Sequence, residues 1–546
     1  MIIIPNPKLM LWLAVAFVAG CGDKIPLRRG LPERPVLMQT SGAAHNPVIS
    51  ADVPDPAVIR AGDTYYMSST TMYYNPGVPI MKSKDLVNWE IVGYAYETLG
   101  DTDALRLNDG KRAYGKGSWA SSLRYHDGTF YCSTFSFTTN KTYIYATKDI
   151  EKGPWRTSVI DRPLHDHSLF FDDDGRVYMV YGGGTLHIIE LTAGASAIKA
   201  GGVDQVLIDD ASAPAAPVNL KAEGSHLEKI NGKYYLFNIT WPRDGMRTEL
   251  VHRADTLLGP YEGRICFQDK GVAQGSVIDT PDGKWYAYLF RDSGAVGRLP
   301  WIVPATWQNG WPVIGVDGKA PETLDELPAN KSPIPGIVAS DEFDRKPSDP
   351  ALPLVWQWNH NPVEKLWSVT ARPGFLRLTT DRTDPGIFSA RNTLTQRTFG
   401  PECSGATSID VTNMKDGDIA GLSIFQAAYG LVGVKMEDGK KSILMGGGKD
   451  TVPEEYETVS LDPSQNTVYL KADCDYKDKA DTAYFYYSLD GKTWVSIGKP
   501  VKLVYSLAHF VGNRFALFNY STKSPGGFVD FDFFHVGDQI GARALQ

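Results

Sequence analysis

Three carboxylates occupy positions from which a chain could move protons. Asp55 lies between two prolines in Asp52-Val53-Pro54-Asp55-Pro56-Ala57-Val58-Ile59-Arg60. Proline fixes its own φ and restrains the residue before it. Asp55 is therefore expected on a stiff, extended piece of chain at the mouth of a strand, the fixed placement that a catalytic carboxylate needs. Taken alone, the same residues would serve as an ordinary turn. Asp166 sits in His165-Asp166-His167-Ser168-Leu169-Phe170-Phe171, and Glu223 opens Glu223-Gly224-Ser225-His226-Leu227. Carboxyl groups gathered in one site can act as general acid and general base. These three are far apart in the chain, so the fold has to gather them.

The elements that would do so are visible as an internal repeat. A Gly beside Asp or Asn, followed by aromatic residues, occurs as Gly62-Asp63-Thr64-Tyr65-Tyr66, Asp127-Gly128-Thr129-Phe130-Tyr131 and Asp174-Gly175-Arg176-Val177-Tyr178. It returns as Asn231-Gly232-Lys233-Tyr234-Tyr235 and Asp282-Gly283-Lys284-Trp285-Tyr286. Asp-Gly and Asn-Gly are strong hairpin signals because type I′ turns need positive φ at both central residues. One hairpin signature about every 50 residues indicates a propeller or an array. The pattern predicts an all-β protein, with a five-bladed β-propeller of about four strands per blade over residues 46–316. A β-sandwich that reuses hairpin turns is the competing architecture. Each acid is expected to begin the strand that runs into its repeat's hairpin. Equivalent positions in successive blades face one axis, which would bring the acids together.

Residues 317–338 read as a linker, with prolines at 321, 328, 333 and 335. Residues 339–546 return to strict apolar/polar alternation, as in Ala483-Tyr484-Phe485-Tyr486-Tyr487, and predict a two-sheet β-sandwich. At the other end, residues 1–21 read as a secretory signal: Lys8, an apolar run from Leu9 to Val18, then Ala19-Gly20-Cys21. The ending resembles a bacterial lipobox, which would make Cys21 the lipidated first residue and residues 22–45 a polar tether. An ordinary signal peptide with an incidental Cys is the alternative. The run is too short to span a membrane, so the expectation is an exported bacterial lipoprotein of the periplasm or outer membrane, held by lipid alone.

The chain has 546 residues and a formal net charge of −8, which leaves no basic stripe for nucleic acid. Its 27 Tyr and 13 Trp suit a ligand with polar rings, such as carbohydrate. Cys132, Cys266, Cys403 and Cys474 show no metal spacing and are read as buried thiols or a disulfide pair. His165-Asp166-His167 has the residue types of a metal site, but alternate residues of a strand face opposite sides, so no metal is expected there. Asp172-Asp173-Asp174-Gly175 begins like a calcium loop without its closing Glu and is read as the third hairpin turn.

Several of these stretches, in this order, resemble glycoside hydrolase family 43. They are Val53 to Arg60, Pro76-Gly77-Val78-Pro79-Ile80, Ser83 to Trp89, Tyr114 to Ala120, Asp166 to Phe171, Glu223 to Leu227, Val277-Ile278-Asp279-Thr280-Pro281 and Gly297-Arg298. The region from Ser340 on resembles the concanavalin-like sandwich that follows many such domains. The resemblance implies a five-bladed propeller and hydrolysis with inversion. It makes Asp55 the general base, Glu223 the general acid, and Asp166 the acid that orients the donor and raises its pKa. Trp119 and Arg298 match substrate-contacting positions. The chain departs from many relatives at His167 and Ser121, where they carry Pro. Gln274 stands in the stretch where they carry a His that holds a central water or calcium ion; Gln274 is read as a substrate or water contact. No cofactor is expected, and a structural calcium is not indicated. The implied activity is exo-hydrolysis of a terminal pentose from plant hemicellulose or pectin oligosaccharides such as arabinoxylan or xyloglucan. α-L-Arabinofuranosidase ranks first, on Thr70-Thr71-Met72 and Ser118-Trp119-Ala120-Ser121, and β-xylosidase or dual activity second. A non-catalytic glycan-binding lipoprotein would not need all three acids. The sequence leaves the oligomeric state open.

Overall fold

A computed structural model describes residues 42–346 and 348–541. The expected signal segment, Cys21 and most of the tether lie outside the described residues. Among the described residues there are strands, turns and a few single 3₁₀ turns, but no α-helix.

The first five sheets are the five blades, each of four antiparallel strands. The first strands of the blades are Ala57–Ala61, Ser121–His126, Ser168–Phe171, Val218–Ile230 and Ala273–Asp279. They pack against one another in that order, and the fifth returns to the first, closing a ring. Their neighbours are the strands that follow each hairpin: Thr64–Ser68, Thr129–Ser136, Val177–Gly183, Lys233–Pro242 and Trp285–Asp292. These are rich in Tyr, Phe, Met and Val because both faces of a blade are covered by its neighbours, so alternation gives way to continuous apolar runs. Two of the five turns have the positive φ at both centres expected of type I′, at Asp127-Gly128 and Asn231-Gly232. At Gly62, Gly175 and Gly283 only the glycine is left-handed. Around Gly175 and Gly283 the paired strands are separated by five residues, so a longer turn with one left-handed glycine replaces the two-residue loop.

The free edges of the first strands face the axis. Arg124 reaches along them: Nε donates to Leu169 O at 2.6 Å, Nη2 to Leu227 O at 3.0 Å and Ser168 Oγ at 2.9 Å, and Nη1 pairs with Glu228 at 3.0 Å. Arg60 and Asp279 close the seam between the first and fifth blades (Nε–Oδ1 3.1 Å).

Fifteen further strands and one short strand from the first blade form two eight-stranded sheets stacked as a sandwich, with two features that the sequence did not announce. Within the stretch read as linker, Thr323–Pro328 is a strand paired with Ala43–His45 from the stretch read as tether. And Tyr74–Asn75, from the first blade, extends one sandwich sheet by pairing with Gln357–Asn359. The apolar core is continuous across the two units: Val53, Val296 and Leu299 of the propeller share a cluster with Phe399, Ile409 and Phe515 of the sandwich. A second seam is aromatic, with Tyr73 stacked on His360 at 5.0 Å and Tyr114 on His509 at 4.2 Å. Cys403 and Cys474 are buried opposite one another on adjacent strands; both, like Cys132 and Cys266, are free thiols.

Candidate active site

Asp55 and Asp166 lie just before the first strands of their blades, and Glu223 lies within its own. Asp55 precedes its strand, but it is not extended: its φ is +52°. The left-handed turn between Pro54 and Pro56 aims the carboxylate inward, and Asp tolerates that region better than most residues. Thr70 Oγ1 donates to Oδ2 at 2.6 Å and Arg298 Nη1 to Oδ1 at 2.9 Å. This ion pair is almost wholly buried, with side chains 6% and 5% exposed.

Asp166 is also left-handed (φ +46°), two residues before its strand. His165, Asp166 and His167 are thus not on a strand, and the alternation argument against their convergence does not apply. They diverge for another reason. His167 turns into the core, where Nδ1 donates to Leu164 O and Nε2 accepts from Ser133 Oγ, both at 2.8 Å. Burial pushes its pKa down to about 4, so it is neutral. His165 turns the other way, towards Glu223, with Nε2 3.1 Å from Oε2. The same nitrogen is 3.8 Å from Asp166 Oδ2. Burial opposes a charge on His165, but Asp166 and Glu223 outweigh it and raise its pKa. Burial raises Asp166 above the ordinary carboxylate range; His165 counters this, while Glu223 and Asp55 add to it. The donor atoms of His165, Asp166 and Glu223 lie within 4.8 Å of one another, close enough for a cation. Two of these atoms, His165 Nε2 and Glu223 Oε2, are already partners of one another.

Glu223 does not begin its strand. It lies inside Val218–Ile230, where the register against Lys233–Pro242 shifts on both sides of it. Such bulges re-aim a side chain. Gly224 makes this one possible: its φ is +65°, and a Cβ there would stand 2.8 Å from the Gln274 side chain. Gly224 N donates to Asp166 Oδ2 at 3.1 Å, tying the second acid to the third. Gln274 is buried and left-handed (φ +62°), its N–H given to Glu249 Oε2 at 2.6 Å. Burial raises the Glu249 pKa well above the carboxylate range. Gln274 thus packs against the turn that carries Glu223.

Trp119 and Arg298 meet on a residue that nothing in the sequence singles out. Phe510, from the sandwich, lies 4.8 Å from the Trp119 ring and 4.5 Å from the Arg298 guanidinium; Tyr505 is 5.8 Å from the same guanidinium. The loop is anchored by Asp52. Its Oδ1 accepts from Arg298 N at 2.8 Å and its Oδ2 from Gly512 N at 2.9 Å. Burial raises the Asp52 pKa against those two N–H donors. Phe137, 48% exposed, packs edge-on to Trp119 and face-on to His165 at the rim. The only trace of the Phe510 loop in the sequence is Tyr505-Ser506-Leu507-Ala508-His509-Phe510, where strand alternation breaks. The outcome brings three acids, one Arg and several aromatic side chains to one end of the propeller, with Phe510 and Tyr505 supplied by the sandwich.

Residues 44–312 match the Glycosyl hydrolases family 43 profile, and residues 340–537 match the Beta xylosidase C-terminal Concanavalin A-like domain. A protein of Formosa agariphila named beta-xylosidase is 29% identical, over 98% of each chain. A protein of Bacteroides ovatus named non-reducing end alpha-L-arabinofuranosidase is 29% identical over 61% of this chain and 64% of its own. A solved structure described as a bifunctional GH43-CE of Bacteroides eggerthii is 59% identical with a TM-score of 0.89. It covers 92% of this chain, which in turn spans 64% of that protein. On the propeller, its acids and the sandwich together, this chain belongs to glycosyl hydrolases family 43.

Proposed function

We propose that the chain is an inverting exo-glycosidase that releases a terminal pentose from xylan or arabinoxylan. Asp55 deprotonates water, Glu223 protonates the leaving oxygen, and Asp166 holds and tunes Glu223. The observation that carries the reading is the convergence of the three acids. Asp166 is bound to the Glu223 turn through Gly224 N and feels the charges of both Glu223 and Asp55. Inversion needs one carboxyl with a proton and one without, on either side of the sugar. Phe510 and Tyr505 stand against Arg298, the partner of Asp55, and this bulk beside the base favours a chain end over a chain interior. Trp119 offers a flat face to a sugar, and Arg298 both fixes Asp55 and borders the same space.

For the sugar, terminal β-D-xylose is the leading reading, supported by the name of the relative that matches over 98% of both chains. Terminal α-L-arabinofuranose, ranked first from the sequence, is the second. It leaned partly on Thr70, whose hydroxyl is given to Asp55 and so says less about the sugar. Hydrolysis of 4-nitrophenyl β-D-xylopyranoside and α-L-arabinofuranoside, with NMR of the first product formed, tests both the sugar and the stereochemistry. Faster release of arabinose would reverse the order of the two sugars. A product of retained configuration would make Asp55 a nucleophile and overturn the mechanism.

Asp166→Asn removes a negative charge beside the donor, which then gives up its proton more readily. The alkaline limb of the kcat/KM profile is expected to move to lower pH, by about one unit or more. An unmoved limb would leave Asp166 a purely structural role.

A further inference from the structure

His165 is the group closest to the Glu223 carboxyl, and nothing in the roles above uses it. Its side chain is 36% exposed at the pocket edge. The ring is fixed on two sides, edge-on to Phe135 at 5.4 Å and face-on to Phe137 at 6.3 Å, and its backbone carbonyl accepts from Gly182 N. That clamp points Nε2 at Glu223 Oε2. Among the described residues, Glu223 Oε1 has no protein partner. A carboxylic acid that serves as a proton donor has to present one oxygen to the leaving group and hold the other still. We propose that His165 is a positioning residue for Glu223: Nε2 holds Oε2, and Oε1 is left to face the leaving group. The inference rests on Glu223 being the general acid.

The charged surroundings of His165 fix the sign. Asp166 and Glu223 are the acids that face it. His167 on its own loop is neutral and turned away. Phe135, Phe137 and Gly183, which line the rest of the ring, carry no charge. Lys221 lies with its stem along Gly184, the residue after Gly183. Arg162, from the same connecting stretch, is turned to Tyr181 and Asp204. A charge on His165 and a charge on Asp166 act on Glu223 with opposite sign. Removing one or the other should therefore move the alkaline limb in opposite directions.

The experiment uses the full chain with His165→Gln, which keeps a donor near the Nε2 position without charge, and His165→Leu, which removes both. Each is assayed on the 4-nitrophenyl pentoside the enzyme prefers and on the matching disaccharide, across pH. His165→Gln is expected to move the alkaline limb up by about one unit, opposite to Asp166→Asn. His165→Leu is expected to lose about 10-fold more activity on the disaccharide than on the nitrophenyl glycoside, as a loosened donor should. If the His165→Gln profile superimposes on the parent and His165→Leu loses both substrates equally, His165 only fills space between Phe135 and Phe137, and the proposal is overturned. Glu223→Gln on the same substrates separates the two levels. If it shows no dependence on the leaving group, the assignment of Glu223 as acid has failed and this proposal falls with it. If it shows the dependence and the His165 variants do not, only the proposal for His165 falls.

Discussion

Asp55→Asn is expected to lower kcat/KM about 10²–10⁴-fold on nitrophenyl pentosides and natural oligosaccharides alike, because neither kind of substrate can do without an activated water. Glu223→Gln is expected to abolish hydrolysis of oligosaccharides while sparing part of the activity on aryl glycosides of acidic phenols. A good leaving group departs without a proton; a sugar hydroxyl does not. The contrast follows from the different anchoring of the two acids. Asp55 is almost wholly buried and gripped on both oxygens by Arg298 and Thr70. Glu223 is 27% exposed and gripped on one oxygen. Steady-state kinetics of both variants on a series of phenols of graded acidity would measure it. Equal losses for Glu223→Gln across the series would refute the division of roles.

The second large effect concerns folding. A chain that ends at residue 338 is expected not to accumulate as a soluble folded propeller, although five closed blades would seem sufficient. Cutting there exposes Val53, Val296 and Leu299, which are buried against the sandwich. It also strips the Tyr74–Asn75 edge of its partner and removes Gly512 N from the buried Asp52 carboxylate. Leaving one buried polar group unsatisfied costs about 1–3 kcal/mol, and each fully buried aliphatic side chain is worth about 1.5–3 kcal/mol. A few such losses match the whole stability of a typical domain, about 5–15 kcal/mol. By the same argument the intact chain should melt in one calorimetric transition. Two separable transitions, or a soluble active propeller after truncation, would show that the units are independent.

The repeat was legible because each blade needs a tight turn, and a left-handed glycine beside Asp or Asn is how the backbone makes one. The acids were legible through the same register and the family resemblance. What escaped the reading was set by contacts distant in sequence. Proline on both sides of Asp55 suggested an extended chain, yet the buried Arg298 and Thr70 donors hold it left-handed. Glu223 seemed to open a strand and instead sits on a bulge that only the proximity of Gln274 to Gly224 explains. The 317–338 stretch looked like a linker because its prolines mask a short edge strand whose partner lies some 280 residues earlier. Phe510 carries no local mark of function at all; its role exists only because the sandwich is docked. His165 was weighed only as a metal ligand, since residue types alone do not say which way two adjacent side chains turn.

Arg124 is a rivet for the ring. From the second blade it binds carbonyl oxygens of the third and fourth and pairs with Glu228, so one side chain laces three blades together at the axis. Those blades are therefore expected to open and close as a unit, and a single substitution there would be felt on the strands that carry Asp166 and Glu223 alike.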